Sequence, residues 1–133
     1  MSENFNIEIV SPNKKILSAE ISEVTIPCFE GLMTILKNHI PLITFLRPGF
    51  IVVKNKDKEE TFFVEEGTVE FFENNLLILS TSTRDIKNFK DEEISQMIKD
   101  TEANIKENTL TDKDKYILSY KLSCLKEISR KNF

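Results

Sequence analysis

The hydrophobic rhythm of the chain changes once, and that change constrains its architecture more than any other feature. Phe5, Ile7 and Ile9 alternate with Asn4, Asn6 and Glu8, the period-two pattern of a strand with one buried face. Ser11-Pro12-Asn13 then breaks the pattern with turn chemistry. Residues 21–26 form a β-branched, apolar run that Pro27 is expected to end. Residues 50–53 and 61–64 flank the charged turn Asn55-Lys56-Asp57-Lys58, which predicts a hairpin. Val69 and Phe71 alternate with Glu70, Asn74-Asn75 marks a tight turn, and residues 76–79 read as a final, more buried strand. Many short strands at turn-punctuated spacing predict a sandwich or barrel.

Near Asn88 the period becomes helical. Ile94, Met97, Ile98, Thr101 and Ile105 share one helix face. Asn88 or Asp91 is expected to cap that helix, and Asp91, Glu92 and Glu93 suit the positive end of its dipole. Residues 108–112 form a polar break. Thr111 with Asp114 gives a capping-box signal for a second helix, whose apolar stripe is Leu118, Leu122 and Leu125 flanked by Ile117, Cys124 and Ile128. Two amphipathic helices joined by a short polar loop predict an antiparallel hairpin. The expected layout is β then α: an N-terminal β-sandwich over residues 1–86 and a helical hairpin over residues 87–133.

Composition narrows the function. The chain has 133 residues, 40% hydrophobic and 30% charged, as expected of a soluble protein with a real core. No apolar run approaches the ~18–20 residues of a membrane span, and no secretory signal or organelle presequence is visible at the N-terminus. The net charge of −4 argues against nucleic acid, which wants a basic surface. Residues 1–85 carry 8 basic and 13 acidic residues, and residues 86–133 carry 10 basic and 9 acidic. Residues 115–133 hold five basic residues and one acid, Glu127, so the two parts offer partners different electrostatics.

The catalytic inventory is thin. His39 is the single histidine, so every histidine-based nucleophile pair would have to use it. Metal sites of the His/Cys kind need three or four ligands, and no such cluster exists. Gly31, Gly49 and Gly67 stand alone, which excludes a Gly-rich phosphate cradle. Glu65-Glu66 read as a solvated turn. His39 reads as a structural, hydrogen-bonded histidine, or as a contact at a partner interface. Cys28 and Cys124 read as small buried residues in a reducing compartment. The ten phenylalanines fall on strand-like positions and belong to a core before a base-stacking platform.

Residues 30–49 carry a resemblance. Glu30-Gly31, Met33, Ile35-Leu36, His39, Pro41-Leu42 and Pro48-Gly49 sit where the epsilon subunits of F-type ATP synthases have their signature. Val64-Glu65-Glu66-Gly67-Thr68-Val69-Glu70 resembles the strand of that family with a paired glycine, and Asn75-Leu76-Leu77-Ile78-Leu79 the strand that follows it. The resemblance spans essentially the whole chain. Thr34 stands where the family usually has glycine, and Lys37-Asn38 replaces its usual proline-glycine.

The resemblance implies a non-catalytic central-stalk subunit with no cofactor. It implies that the sandwich binds the gamma subunit and the ring of c subunits and couples rotation to the catalytic head. The expected rotor-interface residues are Glu30, Gly31, Leu32, Met33 and His39, in a loop over residues 30–39. It implies that an extended hairpin enters the head of alpha and beta subunits and inhibits hydrolysis, with Lys121, Lys126, Arg130 and Lys131 as contact candidates. The expected place is peripheral, on the cytoplasmic face of a bacterial inner membrane; a mature mitochondrial counterpart is the other reading. Some relatives bind ATP through a motif ending in arginine-alanine at the first helix. Its counterpart here is Phe89-Lys90-Asp91-Glu92-Glu93-Ile94, with glutamate in place of the arginine, so ATP binding is expected to be absent or weak. The residues by themselves leave open an interaction module of another assembly and a small β-barrel hydrolase or metal-dependent oxygenase.

Overall fold

The computed structural model describes residues 3–130. Ten strands come first: β1 (Phe5–Val10), β2 (Lys15–Ile21), β3 (Glu23–Cys28), β4 (Gly31–Leu36), β5 (Leu42–Leu46), β6 (Gly49–Asn55), β7 (Lys58–Val64), β8 (Gly67–Phe72), β9 (Asn75–Leu79) and β10 (Arg84–Asp85). Residues 86–88 make a single 3-10 turn. Helices α1 (Asp91–Ile105) and α2 (Asp112–Arg130) follow. The chain divides into two compact units, residues 1–85 and residues 86–133.

In the first unit the strands form one continuous hydrogen-bonded sheet, ordered β10-β7-β6-β3-β5-β8-β9-β1-β2, with β4 paired to β3. All pairings are antiparallel except that of β1 with β9. The sheet turns over at β3, whose first half pairs with β6 while Cys28 pairs with Leu46 of β5. The resulting sandwich encloses one core. Phe5, Ile7 and Ile9 enter it from β1, Val24, Ile26 and Cys28 from β3, Val69 and Phe71 from β8, and Leu76 and Ile78 from β9. Each such side chain contributes roughly 1.5–3 kcal/mol by leaving water, which is why the period-two pattern dictates the layer.

The structure corrects several readings. Residues 21–26 are not one strand: the chain changes strand at Ser22, whose N–H and hydroxyl both donate to the Lys54 carbonyl. Pro27 does not end β3. It lies where β3 leaves β6 for β5, so no ladder donor is needed on that side, and proline is tolerated at such a break. Residues 30–39 are not a loop, because β4 occupies most of them. The tight turn after β8 is Glu73-Asn74, both at positive φ (47° and 60°), and Asn75 already pairs with Phe72. That is the backbone twist favoured in two-residue hairpin loops.

In the second unit, α1 and α2 pack on each other. Ile94 and Thr101 on α1 and Cys124, Leu125 and Ile128 on α2 are buried, on the stripes that helical spacing predicts. The N-cap of α1 is Lys90, with no side-chain cap; neither Asn88 nor Asp91 occupies it, because the 3-10 turn takes up residue 88. The three first-turn acids still meet the helix dipole. Before α2, the Asp114 N–H donates to Thr111 Oγ1 (3.1 Å) and the Thr111 N–H to Asp114 Oδ2 (3.4 Å), the reciprocal pair of a capping box. No helix among the described residues is long and apolar enough to cross a membrane.

Candidate functional site

The five rotor-interface candidates spread along β4 rather than cluster. Glu30 is exposed in the turn between β3 and β4. Gly31 opens β4 at φ 129°, where a side chain would have space but a strained backbone. Leu32 is 70% exposed. Met33 turns inward and packs on the core. His39 lies beyond the far end of β4, and six residues of strand span roughly 17 Å. It is half-buried, its Nδ1 is 2.8 Å from the Ile40 carbonyl, and its ring meets Phe71 edge-on at 5.9 Å.

The loop that carries His39 is clasped. Asn38 adopts φ 68°, a conformation asparagine tolerates. Its N–H donates to Asn74 Oδ1 (2.6 Å), and Asn74 Nδ2 donates to Asn38 Oδ1 (3.0 Å). This pair ties the β4–β5 loop to the β8–β9 turn. Gly49 has a different reason: a side chain there would collide with the ring of Pro27.

A larger feature was not read from the sequence. Ile43 and Phe45 of β5 are 77% and 60% exposed. Directly paired residues share a face of the sheet, so the register defines the surface around them. Ile43 lies beside Glu70, then Leu77, then Glu8. Phe45 lies beside Thr68, then Leu79, then Val10. Exposed Phe72 lies beside Asn75 and Asn6. The outer face of β5-β8-β9-β1 is therefore mainly apolar along the row of Phe45, Leu79 and Val10, while in the next row Glu70 stands between Ile43 and Leu77 and Glu8 beyond Leu77. Contiguous exposed apolar surface of this kind marks a partner-binding face. One signal was available: Leu42-Ile43-Thr44-Phe45-Leu46 has bulky apolar residues on both faces of a strand.

At one end of this face a cleft of about 390 Å³ opens between Val10, Ser11, Pro12, Thr68, Leu79 and the Glu66–Thr81 contact. Glu65-Glu66 is not a freely solvated pair. The Ser82 hydroxyl accepts from both backbone N–H groups. Glu66 Oε1 accepts from the Thr81 hydroxyl (2.7 Å), the Thr81 N–H (3.1 Å) and the Ser82 hydroxyl (3.3 Å). Burial works against ionisation of Glu66, but the Thr81 hydroxyl and N–H and the Ser82 and Ser80 hydroxyls outweigh it and hold the carboxyl below its usual range. Among the described residues, no group of three or more His, Cys, Asp or Glu is arranged to hold a metal. Both cysteines are buried and outside any disulfide, and burial pushes the Cys28 thiol up, against a hydrogen bond from Thr44.

On α2, Lys121 and Lys126 are half-buried and Arg130 is exposed. At about 100° per residue, Lys126 and Arg130 share a side and Lys121 lies about 140° from Lys126, so the cations do not form one stripe. Lys131 lies outside the described residues. Tyr116 and Tyr120 meet edge-on at 4.8 Å on the same helix.

Comparison with known proteins decides the family. The β-sandwich domain of the ATP synthase delta/epsilon chain matches residues 4–85. The ATP synthase epsilon chain of Pelagibacter ubique (strain HTCC1062) is 45% identical over 130 residues, which cover 97% of this chain and 100% of that one. The chain belongs to the ATP synthase delta/epsilon family. It is thus a non-catalytic subunit of an ATP synthase, as the resemblance of residues 30–49 implied. The epsilon chain of Sinorhizobium fredii (strain NBRC 101917 / NGR234) is 41% identical over 83 residues, 62% of either chain. Two solved structures share the fold. A chain of the Euglena gracilis mitochondrial ATP synthase (OSCP/F1/c-ring, rotational state 1) superposes with a TM-score of 0.76 at 14% identity, covering 100% of this chain and 84% of its own. A chain of the Tetrahymena thermophila mitochondrial ATP synthase (central stalk/c-ring) superposes with a TM-score of 0.61 at 17% identity, covering 96% of each.

Proposed function

We propose that this subunit works in the rotor stalk, where its sandwich joins the gamma subunit to the c-ring and transmits rotation to the catalytic head. The observation that carries this reading is the outer sheet face of Ile43, Phe45, Phe72 and Leu79. An isolated sandwich gains nothing from exposing them, whereas a permanent partner buries them. Gamma takes this face. Glu30 and exposed Leu32, at the β3–β4 turn, face the c-ring. The complex works on the cytoplasmic side of a bacterial inner membrane, to which this subunit is peripheral. The test is the binding of the full chain to purified gamma, which a charge at Phe45 is expected to abolish.

The hairpin inhibits ATP hydrolysis when it extends into the head, with Lys126 and Arg130 toward acidic segments of the alpha and beta subunits. The excess of cations in residues 115–133 supports this. Exposed ion pairs contribute only ~0–1 kcal/mol each, so the block comes from shape and several pairs together. Truncation after Asn88 is expected to raise hydrolysis by the assembled enzyme several-fold in a steady-state assay. An unchanged rate would leave the hairpin without this role.

The hairpin does not sense ATP. α1 opens with Asp91, Glu92 and Glu93, which repel phosphate where a cation is needed. Calorimetric titration of the full chain with ATP is expected to give no binding below about 1 mM. A sub-millimolar affinity would refute it.

A further inference from the structure

The outer sheet face says more about its partner than that it is apolar. It also carries acids: Glu70 lies between Ile43 and Leu77, Glu8 lies beyond Leu77, and Glu66 lines the cleft beside Leu79. Among the described residues of these rows the base is Lys15, which is paired with Glu8 at 3.8 Å. The cleft itself is walled by Val10, Pro12, Leu79 and Thr68 and merges with the exposed face at Thr68, the neighbour of Phe45.

Glu66 is built as an oriented anion. Among the described residues, the hydrogen bonds to its carboxylate fall on Oε1, from Ser80, Thr81 and Ser82. Among the described residues none falls on Oε2, and the residue is exposed. A carboxylate held by one oxygen loses little conformational freedom when the other is engaged, which lowers the cost of binding.

We infer that this cleft is the anchor point for the gamma subunit: it receives one apolar side chain of gamma, whose neighbouring lysine or arginine pairs with Glu66 Oε2. The inference rests on the rotor-stalk reading and deepens it. An apolar knob in a cleft, flanked by a cation at a fixed acid, is the kind of central contact that dominates interface energies.

The test measures affinity of the full chain for purified gamma by calorimetry at about 50 and 300 mM salt, where screening separates charged from apolar contacts. Glu66→Gln keeps an acceptor for the Ser80–Ser82 hydroxyls and removes the charge. It is expected to weaken binding roughly tenfold at low salt and to flatten the salt dependence. Thr68→Trp fills the cleft, leaves Glu66 in place, and is expected to weaken binding at both salts. Phe45→Asp reports on the face as a whole. If Phe45→Asp abolishes binding while Glu66→Gln and Thr68→Trp bind like the native chain at both salts, the anchor is overturned and the stalk reading stands. If Phe45→Asp binds normally, the stalk reading of this face fails, and the anchor with it. Sedimentation of the chain alone supplies a further check. A dimer that Phe45→Asp dissolves would assign the face to a second copy and overturn the anchor.

Discussion

Replacing Phe45 with aspartate is expected to lower the affinity for gamma at least 100-fold, about 2.7 kcal/mol, while the sandwich keeps its thermal midpoint. The side chain points away from the core and is 60% exposed, so the fold loses little when it is removed. Its value lies in the interface. A phenylalanine covers ~150–250 Å², of which 60% is exposed here, so at ~25 cal/mol per Å² its burial is worth roughly 2–4 kcal/mol, part of which association consumes. The aspartate also adds a desolvation cost and a fourth carboxylate to a surface that already holds Glu8, Glu66 and Glu70. Calorimetry against gamma reads the first effect, and a thermal melt reads the second. Native affinity in the variant would move the interface elsewhere on the chain.

The second large effect belongs to the core. Phe71→Ala is expected to destabilise the protein by about 3–5 kcal/mol, a large share of the ~5–15 kcal/mol of an ordinary domain, and to lower the melting midpoint by about 10 °C or more. Phe71 is 1% exposed. Its ring meets Phe5 edge-on at 5.7 Å and His39 at 5.9 Å, and each such contact adds about 0.5–1.5 kcal/mol beyond burial. The variant leaves a cavity that strands β1 and β8 cannot close, because their ladder partners hold them. It also frees the His39 ring, so the β4–β5 loop loosens although its Asn38–Asn74 clasp remains. Differential scanning calorimetry checks it, with Phe71→Leu expected to lose less than half as much. A midpoint within about 2 °C of the native chain would contradict this account.

Much of the architecture was legible because its signals are local. The alternation of Phe5, Ile7 and Ile9, the stripe of Ile94 and Thr101, and the Thr111–Asp114 box all lie within one element or one turn. Strands β2, β4, β5 and the two-residue β10 were not read. In β2 the outward residues Ser18 and Ala19 and the half-buried Ile16 and Leu17 give no clean alternation. In β5 both faces are apolar apart from Thr44. The candidate site was read only at its edge. Leu32 and Glu30 are exposed as an interface requires, whereas Met33 packs on the core. The apolar face around Ile43 was missed because residues 42–46 carry no clean alternation and residues 76–79 read as a more buried strand, when Leu79 is 47% exposed.

The sequence by itself determined which residues of β1, β8 and the two helices must leave water, with what period, and where α2 begins. Those properties depend on neighbours one to four residues away. Tertiary structure alone decided which side of β5 and β9 meets solvent, because the pairing of Phe45 with Thr68 and of Thr68 with Leu79 joins distant segments. It likewise decided that Asn38 finds Asn74, 36 residues on, and that Glu66 is held by Thr81, 15 residues on. A carboxylate in a turn has no preferred partner until the fold delivers one. That delivery turns an ordinary acidic pair into an oriented charge beside an apolar cleft.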